Sequence, residues 1–199
     1  MIVIIDTGCA NLASLRFAIE RLGYKVCISS DAKILTQASK LFLPGVGTAS
    51  EAMKNLTAKN LIAPIKALTQ PVLGICLGMQ LMMQCSEENG STSKPVKTLG
   101  IIKGAIKKMH VTPLRLPHMG WNKVHARENE ALFKNIPTDS YFYFVHSYAL
   151  GPHKNSRANC EYGATFSATI QQNNFYGVQF HPERSASVGS QLIKNFLEL

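Results

Sequence analysis

Pro71-Val72-Leu73-Gly74-Ile75-Cys76-Leu77-Gly78-Met79-Gln80-Leu81-Met82-Met83 decides how this chain folds. Its first half is a short apolar run suited to a buried strand, and its second half reads as the start of a helix. Between them lies a Gly-x-Cys-x-Gly corner. A strand that turns sharply into a helix through such a corner is a nucleophile elbow with sulfur in place of oxygen. The corner is crowded, so a Cβ on either flanking glycine would clash. It lifts the Cys76 sulfur clear of the sheet and sets it at the start of a helix. Taken alone, the corner fits a buried structural cysteine beside tight-turn glycines equally well. The remainder of the chain separates the two readings.

Upstream, strand and helix patterns alternate. Residues 2–5 form a continuous apolar run, as expected for a central parallel strand. Asn11 or Ser14 is placed to cap a helix whose Leu12, Leu15, Ile19 and Leu22 follow the 3.6-residue period, with Gly23 at its end. Residues 25–29 and 40–43 read as two further strands, the second closed by Pro44-Gly45-Val46-Gly47. Residues 48–56 and 61–68 read as helices, and residues 71–75 as the strand that ends at the elbow. This order predicts an α/β fold: a doubly wound, mostly parallel, flavodoxin-like sheet. Such sheets bind ligands at the carboxyl ends of their strands, the edge that receives residues 6–11, 44–47 and Cys76.

Downstream the pattern changes. Residues 87–97 are polar and read as a surface loop. Short strands are expected at 100–106, 111–116, 141–145, 164–170 and 175–180, as an antiparallel extension of the same sheet. Residues 188–197 read as an amphipathic terminal helix. No repeat or low-complexity tract interrupts the chain, and a single domain over residues 1–199 is the simplest division.

The totals narrow the function. Hydrophobic residues make up 46% and charged residues 17% of the 199, a globular composition. The formal net charge of +9 raises nucleic acid as a partner, but the basic residues are dispersed and the densest spot, residues 103–108, holds three lysines without interleaved aromatics. A basic face for an acidic protein or a phosphorylated metabolite fits better. The five cysteines form no CxxC pair and no metal-ligand spacing, which points to a reducing compartment and to no metal. The first residues have neither the basic leader nor the length of a signal peptide, and a cytoplasmic location is expected.

Cys76 needs a base. Among six histidines, only His181 combines the carboxyl end of an expected strand with an acid two residues on, in Phe180-His181-Pro182-Glu183. In an extended chain, side chains two apart point the same way, and Pro182 helps hold the segment extended. Glu183 can then orient the His181 ring. Nucleophile, base and orienting acid suit acyl transfer through a thioester. Backbone N–H donors must meet the oxyanion: Leu77, just after the nucleophile, and Val46 or Gly47 from the neighbouring turn.

These segments together resemble the class I (triad) glutamine amidotransferases. Three more segments resemble, more narrowly, the glutaminase subunits of imidazole glycerol phosphate synthases. They are Asp6-x-Gly8-x-x-Asn11-Leu12, Pro117-His118-Met119-Gly120-Trp121-Asn122 and Tyr143-Phe144-Val145-His146-Ser147-Tyr148. The resemblance implies that Cys76, His181 and Glu183 are catalytic, that Val46, Gly47 and Leu77 form the oxyanion hole, and that Gly45, Gln80, Ser147 and Tyr148 bind glutamine. It implies a (β/α)8-barrel cyclase subunit as the partner in a heterodimer, with Asn11, Met119, Trp121, Asn122 and Arg184 at or near the interface. It implies no cofactor. It also suggests a switch, in which a peptide flip at Gly45-Val46-Gly47 supplies the second oxyanion donor when the partner docks. Thr7 and Gln84 depart from the Tyr and Glu common in such proteins and leave the triad intact. Two alternatives differ in recognisable ways. Another triad amidotransferase would lack the Met119-Gly120-Trp121-Asn122 segment. A flavodoxin-like binding or redox-sensing module would need neither the His181–Glu183 pair nor a glutamine pocket.

Overall fold

The computed structural model describes residues 1–8, 11–89 and 94–199. Cys9, Ala10 and residues 90–93 of the predicted polar loop lie outside the described residues. In chain order the first half runs β1 (Ile2–Ile5), α1 (Leu12–Glu20), β2 (Val26–Ser29), α2 (Ala32–Gln37), β3 (Lys40–Gly45), α3 (Ala49–Ala58), α4 (Ile62–Lys66), β4 (Val72–Cys76) and α5 (Leu77–Leu81). Asn11 caps α1 and Thr48 caps α3, each side chain accepting a backbone N–H three residues on. The short α2, capped by Asp31, has no counterpart in the sequence expectation. At six residues it is too brief for a helical period to show against its surroundings.

The second half contains β5 (Cys85–Ser86), β6 (Val96–Lys97), β7 (Ala105–Lys108), β8 (His118–Lys123), β9 (His125–Ala126), β10 (Tyr141–His146), β11 (Tyr148–Ala149), β12 (Ser156–Glu161), β13 (Thr165–Gln172), β14 (Phe175–Val178) and α6 (Ala186–Leu197). The main sheet has the order β2-β1-β3-β4-β14-β13-β12-β9. It is parallel from β2 to β14 and antiparallel from β14 to β9. The doubly wound reading holds, and so does an antiparallel extension of the same sheet.

Several details differ from expectation, among them β8 and β12, which fall where no strand is expected. Residues 111–116 form no strand: prolines at 113 and 117 remove ladder donors, and both follow cis peptide bonds. The 100–106 strand begins only at Ala105. β10 leaves the main sheet and pairs with β8 as a two-stranded ribbon, while β5, β6, β7 and β11 form a separate small sheet.

Alternation along the parallel strands explains the layers. Ile2 and Ile4 pack on one face with α1 and α6, and Val3 and Ile5 on the other with α2, α3, α4 and α5. Both faces of β1, β3 and β4 are buried, which is why each reads as a continuous apolar run. No helix among the described residues is long and apolar enough to cross a membrane.

Candidate active site

Register brings the site together. β14 lies beside β4 with Val178 opposite Ile75, and β3 lies on the other side with Gly45 opposite Cys76. The chain leaving β14 therefore carries His181 to the edge where β4 delivers Cys76 and β3 delivers Val46. Cys76 itself has φ 52° and ψ −110°, a strained backbone for a residue with a side chain. The flanking glycines are sterically required: a Cβ on Gly78 would land on the Leu43 carbonyl oxygen, and one on Gly74 would meet the Met82 methyl at 2.7 Å.

His181 and Cys76 line one cleft, and the His181 Nδ1 lies 2.8 Å from Glu183 Oε1. Both members of the His181–Glu183 pair are buried. Burial opposes charge on the imidazole, but the bonds to Cys76 and Glu183 outweigh it and raise His181 to about 10. The route by which Glu183 reaches the ring differs from expectation. His181 is extended, but Pro182–Arg184 is a 3-10 turn that swings the carboxylate back. The Ser185 hydroxyl donates to the His181 carbonyl at 2.7 Å and accepts the Tyr143 N–H at 3.0 Å, which fixes this turn.

A cleft of about 210 Å³ opens over the sulfur, and Val46, Gly47, Cys76, Leu77, Gln80, Ser147, Tyr148 and His181 all line it. Gly47 has φ 90°, a conformation that suits a residue without Cβ. Glu88 lines the cleft too. It accepts the Ala49 N–H, and burial raises its carboxyl above the usual range. It comes from the segment read as a surface loop, where one acid among several polar residues carries no distinguishing signal. Gly45, expected to bind substrate, lies instead on a second cavity of about 140 Å³ with Asn11, Val46, His181, Glu183 and Arg184. The buried Thr7 hydroxyl donates to the Pro44 carbonyl at the base of this turn. A larger hollow of about 700 Å³, lined by residues between Val124 and Phe142, contains no member of the triad.

Strand alternation divides the segment around Trp121. Met119 and Trp121 are exposed, at 62% and 52%, whereas His118 and Asn122 turn inward. Asn122 donates to His118 and to the Glu161 carbonyl. His118 in turn meets His146 at 3.1 Å, among Phe144, Tyr162 and Phe166. Among the described residues, no group of three or more His, Cys, Asp or Glu side chains is arranged to hold a metal ion.

A family model described as glutamine amidotransferase class-I matches residues 3–199. The chain belongs to the class-I glutamine amidotransferases. Over 199 residues it is 57% identical to the imidazole glycerol phosphate synthase subunit HisH of Vibrio cholerae, covering all of this chain and 98% of that one. Over 203 residues it is 58% identical to the same-named subunit of Photobacterium profundum, covering 100% and 97%. Among solved structures, PurLQS from Thermotoga maritima matches with a TM-score of 0.70 at 15% identity, covering 99% of this chain and 97% of that one. The Trypanosoma brucei CTPS glutaminase domain with bound acivicin matches at 0.64 and 16%, covering 99% and 93%. These two likenesses establish the amidotransferase fold alone.

The two inward histidines of this amidotransferase give it an acid-sensitive core. Burial lowers His118 to about 4 and His146 to about 3, the latter with help from the neighbouring His118 and His181. An unfolded imidazole titrates near 6.5. Between these values the unfolded chain binds protons that the folded one refuses, so stability present above about pH 6.5 is lost as pH falls. His181, raised in the folded state, is charged in both states over this window and does not offset the loss. Up to two protons are taken up on unfolding, so urea denaturation should show stability falling by up to about 3 kcal/mol per pH unit below about pH 6. His118→Phe should flatten that slope by about half.

Proposed function

We propose that this chain is the glutaminase subunit of an imidazole glycerol phosphate synthase, acting in the cytoplasm in histidine biosynthesis as a single amidotransferase domain. The observation that carries the reading is Cys76 and His181 lining one small cleft at the carboxyl ends of the strands, with Glu183 on the far side of the His181 ring. Identity above one half to subunits of that name supports the pathway.

His181, the base for Cys76, carries the thiol's proton as an imidazolium, and the sulfur, left as a thiolate, attacks the side-chain amide carbon of glutamine. The C–N bond breaks as His181 returns the proton to the departing ammonia, leaving a glutamyl thioester. Water, activated by His181, then releases glutamate and restores the thiol. Glu183 orients the ring throughout. The Leu77 N–H and an N–H from Val46 or Gly47 meet the oxyanion. A peptide flip at Val46 is an adequate switch, because one oxyanion donor is worth about 10²–10³ in rate. Gln80, Ser147 and Tyr148 hold the amino-acid end of the substrate, and the Glu88 carboxylate faces its ammonium group.

The cyclase partner, a (β/α)8-barrel, takes up the ammonia to make imidazole glycerol phosphate and the aminoimidazole carboxamide ribotide. Met119 and Trp121 supply an exposed apolar contact for it, with Asn11 and Arg184 at the rim of the second cavity. The test is labelling with 6-diazo-5-oxonorleucine in the presence of a co-purified cyclase. One adduct on Cys76, with loss of the product made from glutamine, is expected. Labelling elsewhere, or full activity after Cys76 is labelled, would overturn the reading.

A further inference from the structure

Six polar groups link the inner face of β8 to the reactive sulfur without a break. Asn122 Nδ2 lies 3.3 Å from His118 Nε2, and His118 Nδ1 lies 3.1 Å from His146 Nε2. His146 Nδ1 lies 3.0 Å from the Tyr148 carbonyl oxygen, which Gln80 Nε2 also approaches, at 2.9 Å. The same Gln80 nitrogen donates to Gln179 Oε1 at 3.0 Å, and Gln179 Nε2 lies 3.7 Å from Cys76 Sγ. His118, His146, Gln80 and Gln179 are all buried.

The Tyr148 carbonyl fixes every proton in this chain, because it can only accept. On one side His146 must carry its hydrogen on Nδ1, leaving a lone pair on Nε2. His118 must then donate from Nδ1, leaving its Nε2 to accept from Asn122. On the other side Gln80 must present its nitrogen, whose two hydrogens serve Tyr148 and Gln179. Gln179 must therefore turn its oxygen to Gln80 and its N–H to the sulfur. A proton added to either imidazole would place N–H against N–H and break the run.

We propose that His118 and His146 are positioning residues: as a neutral pair they pin the Tyr148 carbonyl, and through it the Gln80 and Gln179 amides, so that a fixed N–H faces the Cys76 sulfur. This deepens the proposed function, since it rests on that cleft being the glutamine site. It extends the machinery outward from the triad to Asn122, the neighbour of Trp121. A donor lost from an anionic sulfur weakens the thiolate, the form that reacts with alkylating agents.

Two measurements test the relay. In protein labelled with ¹⁵N-histidine, both rings should show a protonated Nδ1 and a bare Nε2, unchanged from about pH 8 to about pH 5.5. An Nε2–H tautomer, or a charged ring at either position in the folded protein, overturns the proposal. Separately, iodoacetamide modification of Cys76 is followed by peptide mass spectrometry near pH 7. His118→Phe keeps the ring stacking and removes the bonds, and should slow modification about tenfold. His118→Gln can both donate and accept, and should restore the rate to within about twofold. Unchanged or faster modification in folded His118→Phe overturns the relay. If that variant does not fold, the nitrogen spectrum of the unaltered protein still decides. Correct tautomers and slowed alkylation, with no glutamine hydrolysis by the unaltered complex, would overturn the proposed function and leave the relay standing.

Discussion

Cys76→Ala abolishes ammonia release, by at least about 10⁴-fold in kcat, because no other group stands where the thioester forms. Ammonia supplied directly should still support the cyclase reaction. Loss of product with glutamine but not with ammonium salts, in the assembled complex, is therefore the result to look for. Retained glutamine hydrolysis would remove Cys76 from the reaction. The same position should show opposite preferences for stability and function. Its φ of 52° and ψ of −110° suit glycine and strain any residue with a Cβ. Cys76→Gly should therefore be more stable than Cys76→Ala by about 1–2 kcal/mol, although both are inactive. Equal denaturation midpoints would mean that the corner carries no strain.

The largest effect on folding is expected two residues on. Gly78→Ala drives a methyl group into the Leu43 carbonyl oxygen, a backbone atom that no side-chain rotation can move aside. Neither β3 nor α5 can move away without unseating the elbow, so the variant should lose more than about 4 kcal/mol or fail to fold. Gly47→Ala is the informative comparison. It has open space around it and only its φ of 90° against it, so about 1 kcal/mol is expected. Thermal denaturation of the pair separates collision from conformational cost. A Gly78→Ala protein as stable as Gly47→Ala would show that the strand and helix are not in such close contact.

Much of this was readable from residue order because it depends on short-range patterns. The apolar runs at residues 2–5 and 71–75, the glycine corner and the His-Pro-Glu run each carry their own physical reason, and the parallel sheet follows from their alternation. Features that depend on distant pairing were not readable. Nothing local marks residues 118–123 as a strand: it carries a glycine, pairs among the described residues with β10 alone, and its inward side chains are polar. The inward turn of Asn122 and the contact between His118 and His146 follow from that pairing. Glu88 reaches the cleft from the end of β5, which pairs with β7, and is held there by the Ala49 N–H. Gly189 is a similar case. It reads as an ordinary helix residue, but its missing Cβ lets α6 rest against the Pro182 carbonyl between the base and its acid.

The seating of β14 directly beside β4 has a consequence for how such a protein can change. Adjacent strands sit about 4.8 Å apart whatever loops connect them. The reach from thiol to imidazole is thus set by main-chain spacing, and the turn at residues 173–174 can lengthen without altering it. Removing one residue from within β14 is another matter, since every later side chain would change faces and the imidazole would leave the sulfur. The catalytic pair is buffered against insertions at the loop tips and exposed to single deletions within the strands.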